Sequence, residues 1–231
     1  MASDGTRLVD QLPVQQFDRI IHEATEPWSY LKSPYYGPLG PIEGSYRVGP
    51  LARLNLCDRI GTPQADRELL ELRQRAGPVV IASFHYHLAR LIEILACLEQ
   101  IDRLLDDPLT IAPRVRHRAS LNCHEAVGVS EAPRGSLFHH YRVDANGLID
   151  FVNLIIATGQ NNRAMNRAIT QIAQHYLKAE QLSEALLNRI EAGIRCFDPC
   201  LSCSTHAAGQ MPLQVGLFAA DGTLLQQLDR P

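Results

Sequence analysis

The sequence has no long uncharged apolar run. Its most apolar stretch, Val79–Leu98, carries His85, His87, Arg90 and Glu93, which argues against a membrane-spanning helix. It has no excess of basic charge either. Lys and Arg number 22 against 25 Asp and Glu, a net charge of −3, so nothing electrostatic favours nucleic acid or an anionic membrane. Residues Met1–Asp10 lack the charged-then-apolar pattern of an export signal. No G-x-G-x-x-G fingerprint occurs, and no internal repeat or low-complexity tract is visible. Cysteine is sparse and irregular, six in 231 residues, which does not read as a disulfide framework. A reducing, cytoplasmic setting with metal-binding thiols is the expectation. What is present is ordinary globular composition, 45% hydrophobic and 20% charged, enough for one sizeable core or two small ones.

Periodicity predicts a mainly α fold with small β-hairpins. Val14–Ala24 has a helical apolar period, through Val14, Phe17, Ile20, Ile21 and Ala24. Trp28–Pro50, rich in Pro, Gly and Tyr, is expected to be a long ordered loop that either wraps on the core or packs onto a partner. Thr62 should cap a helix over Pro63–Arg75. Val79–Leu105 is the longest helix candidate, with Leu88, Leu91, Ile92, Leu95, Leu98, Ile101 and Leu105 as its core face and Cys97 packed within it. Ser136–Val143 and Leu148–Ala157 flank an Asn146-Gly147 turn, a hairpin pattern. Asn161–Leu177 and Glu184–Arg195, the latter capped by Ser183, are further helices; Val215–Ala219 and Thr223–Leu228 form a second hairpin.

Chemistry concentrates near the C-terminus, in Asp198-Pro-Cys200-Leu-Ser-Cys203-Ser-Thr-His206. Two thiols separated by two residues can converge on one soft divalent ion. Cys196, Cys200, Cys203 and His206 offer four ligands for structural zinc. Such sites, however, usually draw pairs from two separated turns, and this glycine-free segment is poorly able to wrap an ion alone. A redox dithiol is the other option, but the pair does not open a helix after a strand. An incomplete site, completed from elsewhere, is the leading reading. Glu131-Ala-Pro133-Arg134-Gly135 reads as a turn. Its arginine is either a plain loop-tip residue or a fixed cation beside a metal site. His85 and His87, and likewise His139 and His140, are spaced to diverge, and Cys57, Cys97 and Cys123 stand alone.

The Asp198–His206 segment resembles the C-terminal signature of nickel–iron hydrogenase large subunits, and Glu131–Gly135 resembles an internal signature of the same family. Tyr46–Asn55, Ser83–Arg90 and Ile155–Asn162 are similar to the NAD-reducing, bidirectional type. The resemblance covers the chain from about Leu8 onward. It implies a nickel–iron centre whose iron carries CO and cyanide, with Cys200 as a terminal nickel ligand and proton acceptor and Cys203 bridging the metals. Arg134 would be a catalytic outer cation. Pro133 and Thr158 would line the cyanide pocket, and His206 would ligate magnesium or a similar ion. The family's maturation endopeptidase cuts after that histidine, so residues 1–206 would be the C-terminal half of the large-subunit domain and 207–231 a cleavable extension. Partners implied are the hydrogenase small subunit, NAD-binding diaphorase subunits carrying iron–sulfur clusters, and nickel-insertion proteins. The family also supplies an N-terminal C-x-x-C pair, which has no counterpart before Cys200. The chain is therefore expected to be a fragment, or one part of a split subunit, inactive by itself. Two other readings stay open: a non-catalytic zinc module built on Cys196, Cys200, Cys203 and His206, and an assembly relative that has lost its metal.

Overall fold

The structure, a computed structural model, describes residues 1–118, 122–177, 181–201 and 213–230. In chain order the elements are β1 (Ile21–Glu26), β2 (Ser29–Tyr36), α1 (Gly40–Glu43), α2 (Pro50–Leu56), α3 (Pro63–Ala76), α4 (His85–Leu105), β3 (Glu125–Ala132), β4 (Gly135–Val143), β5 (Ile149–Ile155), α5 (Ala157–Tyr176), α6 (Glu184–Cys196), β6 (Leu213–Phe218) and β7 (Leu224–Arg230). Short 3-10 helices lie at Val14–Arg19, Gly37–Leu39 and Pro108–Ile111. The helical expectation with small sheets is met. The chain divides into two compact units, residues 1–20 with 48–157, and residues 21–47 with 158–231.

Unit one packs α2 and α3 against α4. Leu51, Leu54, Ala65, Leu69 and Leu72 are buried, as are Tyr86, Ala89, Ile92 and Ala96 of α4. This corrects the expected orientation of α4. Ala89 and Ala96 are small enough to let the neighbouring helices approach, so the buried stripe runs through them. Leu91, Leu98 and Leu105 of the expected core face are instead 62%, 58% and 73% exposed. Periodicity identified an amphipathic helix but not which apolar stripe is covered. Cys97, about 100° around the helix from Ala96, is exposed rather than packed. The helix also starts later than expected. Val80, ahead of it, is buried and bonded like a strand residue to the Asn55 amide, at 2.8 and 2.9 Å.

The start of α3 is capped, though not as expected. Thr62 occupies the N-cap position without a side-chain bond. The amides of Gln64 and Ala65 instead donate to the Glu99 carboxylate of α4, both at 3.0 Å. The remaining part of unit one is an antiparallel sheet in the order β3-β4-β5. The Asn146-Gly147 turn lies between β4 and β5, where Asp144 accepts from the amides of Asn146 and Leu148. Phe17, in the first 3-10 helix, stacks on Phe138 of β4 with ring centroids 5.4 Å apart.

Val14–Arg19, in unit one, is a 3-10 helix, so the helix expected over Val14–Ala24 is met in its first part. In unit two its end and the expected loop over Trp28–Pro50 give way to an antiparallel hairpin, β1-β2, followed by the single-turn α1. Proline allows this: Pro34 sits in a sheet of two strands among the described residues, and Pro41 falls in the first turn of α1. Ser183 caps α6, accepting from the Leu186 amide at 3.2 Å, as the sequence predicted. Leu182, Leu186 and Ile190 form a core with Ile169 and Ile172 of α5 and Val215, Leu217 and Leu228 of the last hairpin. Leu182 and Gln226 exchange two hydrogen bonds, at 2.7 and 3.1 Å, which tie the β6-β7 hairpin to the start of α6.

Candidate metal centre

The cysteine motif begins where α6 ends. Cys196, the last helical residue, is fully buried and its thiol donates to the Ala192 carbonyl at 3.2 Å. The amides of Phe197 and Asp198 close the helix on the Ile194 and Arg195 carbonyls. Asp198 has φ 49, the left-handed conformation that costs a residue with a Cβ about 1 kcal/mol and that Asp tolerates better than most. Pro199 follows and cannot continue a helix. The chain is thus turned out of the helical path, and Cys200, half-buried, gives its amide proton to Thr158 Oγ1 at 3.1 Å.

Thr158 lies in the first turn of α5, beside Gln160 and Asn161; the three are buried polar residues, 5%, 1% and 3% exposed. A helix start that buries side chains of this kind has to supply them with partners. Gln160 Oε1 accepts from the Tyr46 hydroxyl at 3.0 Å. Burial, with a smaller contribution from the Glu23 carboxylate, pushes the Tyr46 pKa above its ordinary value, so the phenol stays protonated as a donor.

In unit one, Pro133 and Arg134 form the two-residue tip of the β3-β4 hairpin, both exposed. The tip is seated on the segment that leads into α2. A Cβ added to Gly49 would stand 2.7 Å from the Arg134 carbonyl oxygen, and one added to Gly135 would stand 2.3 Å from Val48 Cγ2. Arg53, one turn into α2, donates to the carbonyls of Ala132 and Pro133, both at 2.9 Å. Its guanidinium also meets both Glu93 oxygens at 2.6 Å and pairs with Glu131. Burial opposes the Arg53 charge, but the two carboxylates outweigh it and raise the pKa above its ordinary value.

The structure therefore brings Thr158 to Cys200 in unit two and places Pro133 and Arg134 together on one turn of unit one. Cys203 and His206 lie outside the described residues. Among the described residues no three His, Cys, Asp or Glu side chains gather to hold an ion. The described part of the motif supplies one soft donor, Cys200, whose backbone is anchored separately from its thiol. That suits a thiolate ligand. Two of the histidines have other partners: His139 meets the Tyr141 hydroxyl at 3.1 Å, and His140 meets Glu125 at 2.7 Å. Tyr46, Arg53, Glu93 and Gln160 were not singled out from the sequence. The available signal was the family resemblance of Tyr46–Asn55 and Ile155–Asn162, which contain Tyr46, Arg53 and Gln160.

The chain is 42% identical to the NAD-reducing hydrogenase HoxS subunit beta of Cupriavidus necator, over 98% of this chain and 47% of that protein. It is similar to the crystal structure of an NAD+-reducing NiFe-hydrogenase in the H2-reduced state, with TM-score 0.80 and 46% identity, covering 86% of this chain and 44% of that one. The Ni-Fe-Se hydrogenase of Desulfovibrio vulgaris Hildenborough, at 24% identity and TM-score 0.52 over 78% of this chain and 38% of that one, shares the fold. The chain spans about half the length of the relatives it matches. No helix among the described residues is long and apolar enough to cross a membrane. The nickel-dependent hydrogenase family matches residues 7–206, and the chain belongs to that family of enzymes.

Proposed function

We propose that this chain is the C-terminal portion of the large subunit of a nickel–iron hydrogenase that oxidises H2 reversibly and passes the electrons toward NAD. The observation that carries this reading is the anchoring of Cys200 to Thr158 directly after α6, which presents the first thiol of the Cys200-x-x-Cys203 pair from a fixed backbone. When bound, a nickel–iron centre with CO and cyanide on iron would supply the redox-active Lewis acid for dihydrogen. Cys200 and Cys203 would hold it, with the remaining ligands coming from a C-x-x-C pair outside this sequence. Cys200 Sγ is the proposed proton acceptor. The Thr158 hydroxyl accepts from the Cys200 amide and still has its own proton to donate, which suits a cyanide nitrogen. Pro133 is proposed, from the family resemblance, as a lining residue for the cyanide ligands, and Arg134 as the outer cation.

His206 is the proposed ligand of magnesium or a similar ion and the boundary of processing. Residues 1–206 would be the mature portion and 207–231 the extension removed by an endopeptidase; the family match ends at residue 206. The proposed partners are a small subunit, diaphorase subunits with NAD and iron–sulfur clusters, nickel-insertion proteins and the complementary N-terminal half. Cytoplasmic residence is proposed with them. Burial of the Cys196 thiol against Ala192 speaks against the zinc module, which would need it as a ligand. Elemental analysis of the chain co-produced with a C-x-x-C-bearing half tests the choice. Nickel and iron are expected; zinc alone would overturn the proposal.

A further inference from the structure

A two-residue hairpin tip normally takes positive φ at its central residues, because that twist matches the strands. Pro133 cannot do so, its ring fixing φ near −65°, and Arg134 is not among the residues of positive φ. Only Gly135, at φ 138, departs from the ordinary range. The tip thus lacks the twist that would support it from within, and its orientation has to be set from outside. Gly49 supplies a floor, lying close against the Arg134 carbonyl. Arg53 supplies the hold: one planar guanidinium donates to the Ala132 and Pro133 carbonyls while Glu93 and Glu131 accept from the same group. Glu131 also accepts from the Ser136 hydroxyl at 2.6 Å, which joins the two strands below the tip.

We infer that Arg53 is the positioning residue for Arg134, holding the Pro133–Arg134 backbone through its two carbonyl bonds. This rests on the reading of Arg134 as the outer cation of the centre. The carboxylates of Glu93 and Glu131 offset the charge of Arg53. A lysine would keep the charge, but its single ammonium cannot serve two carbonyls and two carboxylates at once.

The test is amide exchange, followed by mass spectrometry, on the chain carrying Arg53→Lys. Exchange at Gly135 and Ser136 is expected to speed up by about tenfold or more while the core amides of α4 stay unchanged. Glu93→Gln, which keeps both carbonyl bonds, should speed the tip less than Arg53→Lys does. An unchanged tip in Arg53→Lys, or a tip and α4 that loosen together, would overturn the inference. In an assembled hydrogenase containing this chain, Arg53→Lys should slow hydrogen–deuteron exchange by about tenfold, but by less than about twofold when Arg134→Lys is already present. Equal losses in both backgrounds would also overturn it. Failure of the assembly to split hydrogen would instead defeat the functional reading, leaving the exchange data to judge the clamp.

Discussion

Thr158 holds Cys200 by its backbone, accepting the amide proton at 3.1 Å across 42 positions of sequence. Thr158 is 5% exposed, so removing its oxygen leaves the Cys200 amide short of an acceptor in a site with little water to replace it. Thr158→Val should destabilise the chain by about 1–3 kcal/mol in urea titration, whereas Thr158→Ser, which keeps the oxygen, should cost about 0.5 kcal/mol or less.

The hairpin tip makes a second demand. At Gly135 a Cβ would meet Val48 at 2.3 Å with φ 138, whereas at Gly147, φ 81, the space is open. Gly135→Ala should therefore cost about 2–3 kcal/mol and Gly147→Ala about 1 kcal/mol, the first adding overpacking to backbone strain. Paired urea titrations measure the difference.

Acid should loosen α3 from α4. Partial desolvation works to raise the Glu99 pKa, but the amides of Gln64 and Ala65 hold it below the ordinary 4.5. A carboxyl depressed on folding contributes stability above its unfolded pKa and loses it as pH falls through the folded value. Protection of the Gln64 and Ala65 amides should fall as pH drops below about 4.5 in the native chain and stay flat over that window in Glu99→Gln.

Much of this architecture is legible in the sequence because local signals and packing agree. Ser183 caps α6 as its position suggests, and the Asn146-Gly147 and Asp221-Gly222 turns lie between paired strands. The misreadings occur where a partner element decides. The apolar period near Phe17 and Ile21 is helical on paper, yet β2 captures Ile21–Glu26 as a strand. Along α4 two apolar stripes compete, and the small side chains of Ala89 and Ala96 determine which is covered. In the candidate site, Cys200 and Arg134 are conspicuous from motif spacing. Arg53 and Tyr46 act through backbone carbonyls and a buried amide side chain, contacts that residue spacing alone does not mark.

Cys196 and Cys200 should behave oppositely. The buried Cys196 thiol fills space, so Cys196→Ala should cost about 1–2 kcal/mol in stability and leave the nickel content of the co-produced protein unchanged. Cys200→Ala should abolish nickel retention with little change in the unfolding midpoint of the metal-free chain, as read by elemental analysis and urea titration side by side.

The most direct test of the central claim is infrared spectroscopy of this chain co-produced with a C-x-x-C-bearing N-terminal half and nickel-insertion proteins. Bands of iron-bound CO and cyanide, lost in Cys200→Ala and shifted in Thr158→Val, are the expected result. A folded complex that takes up metal but shows no such bands would contradict the account.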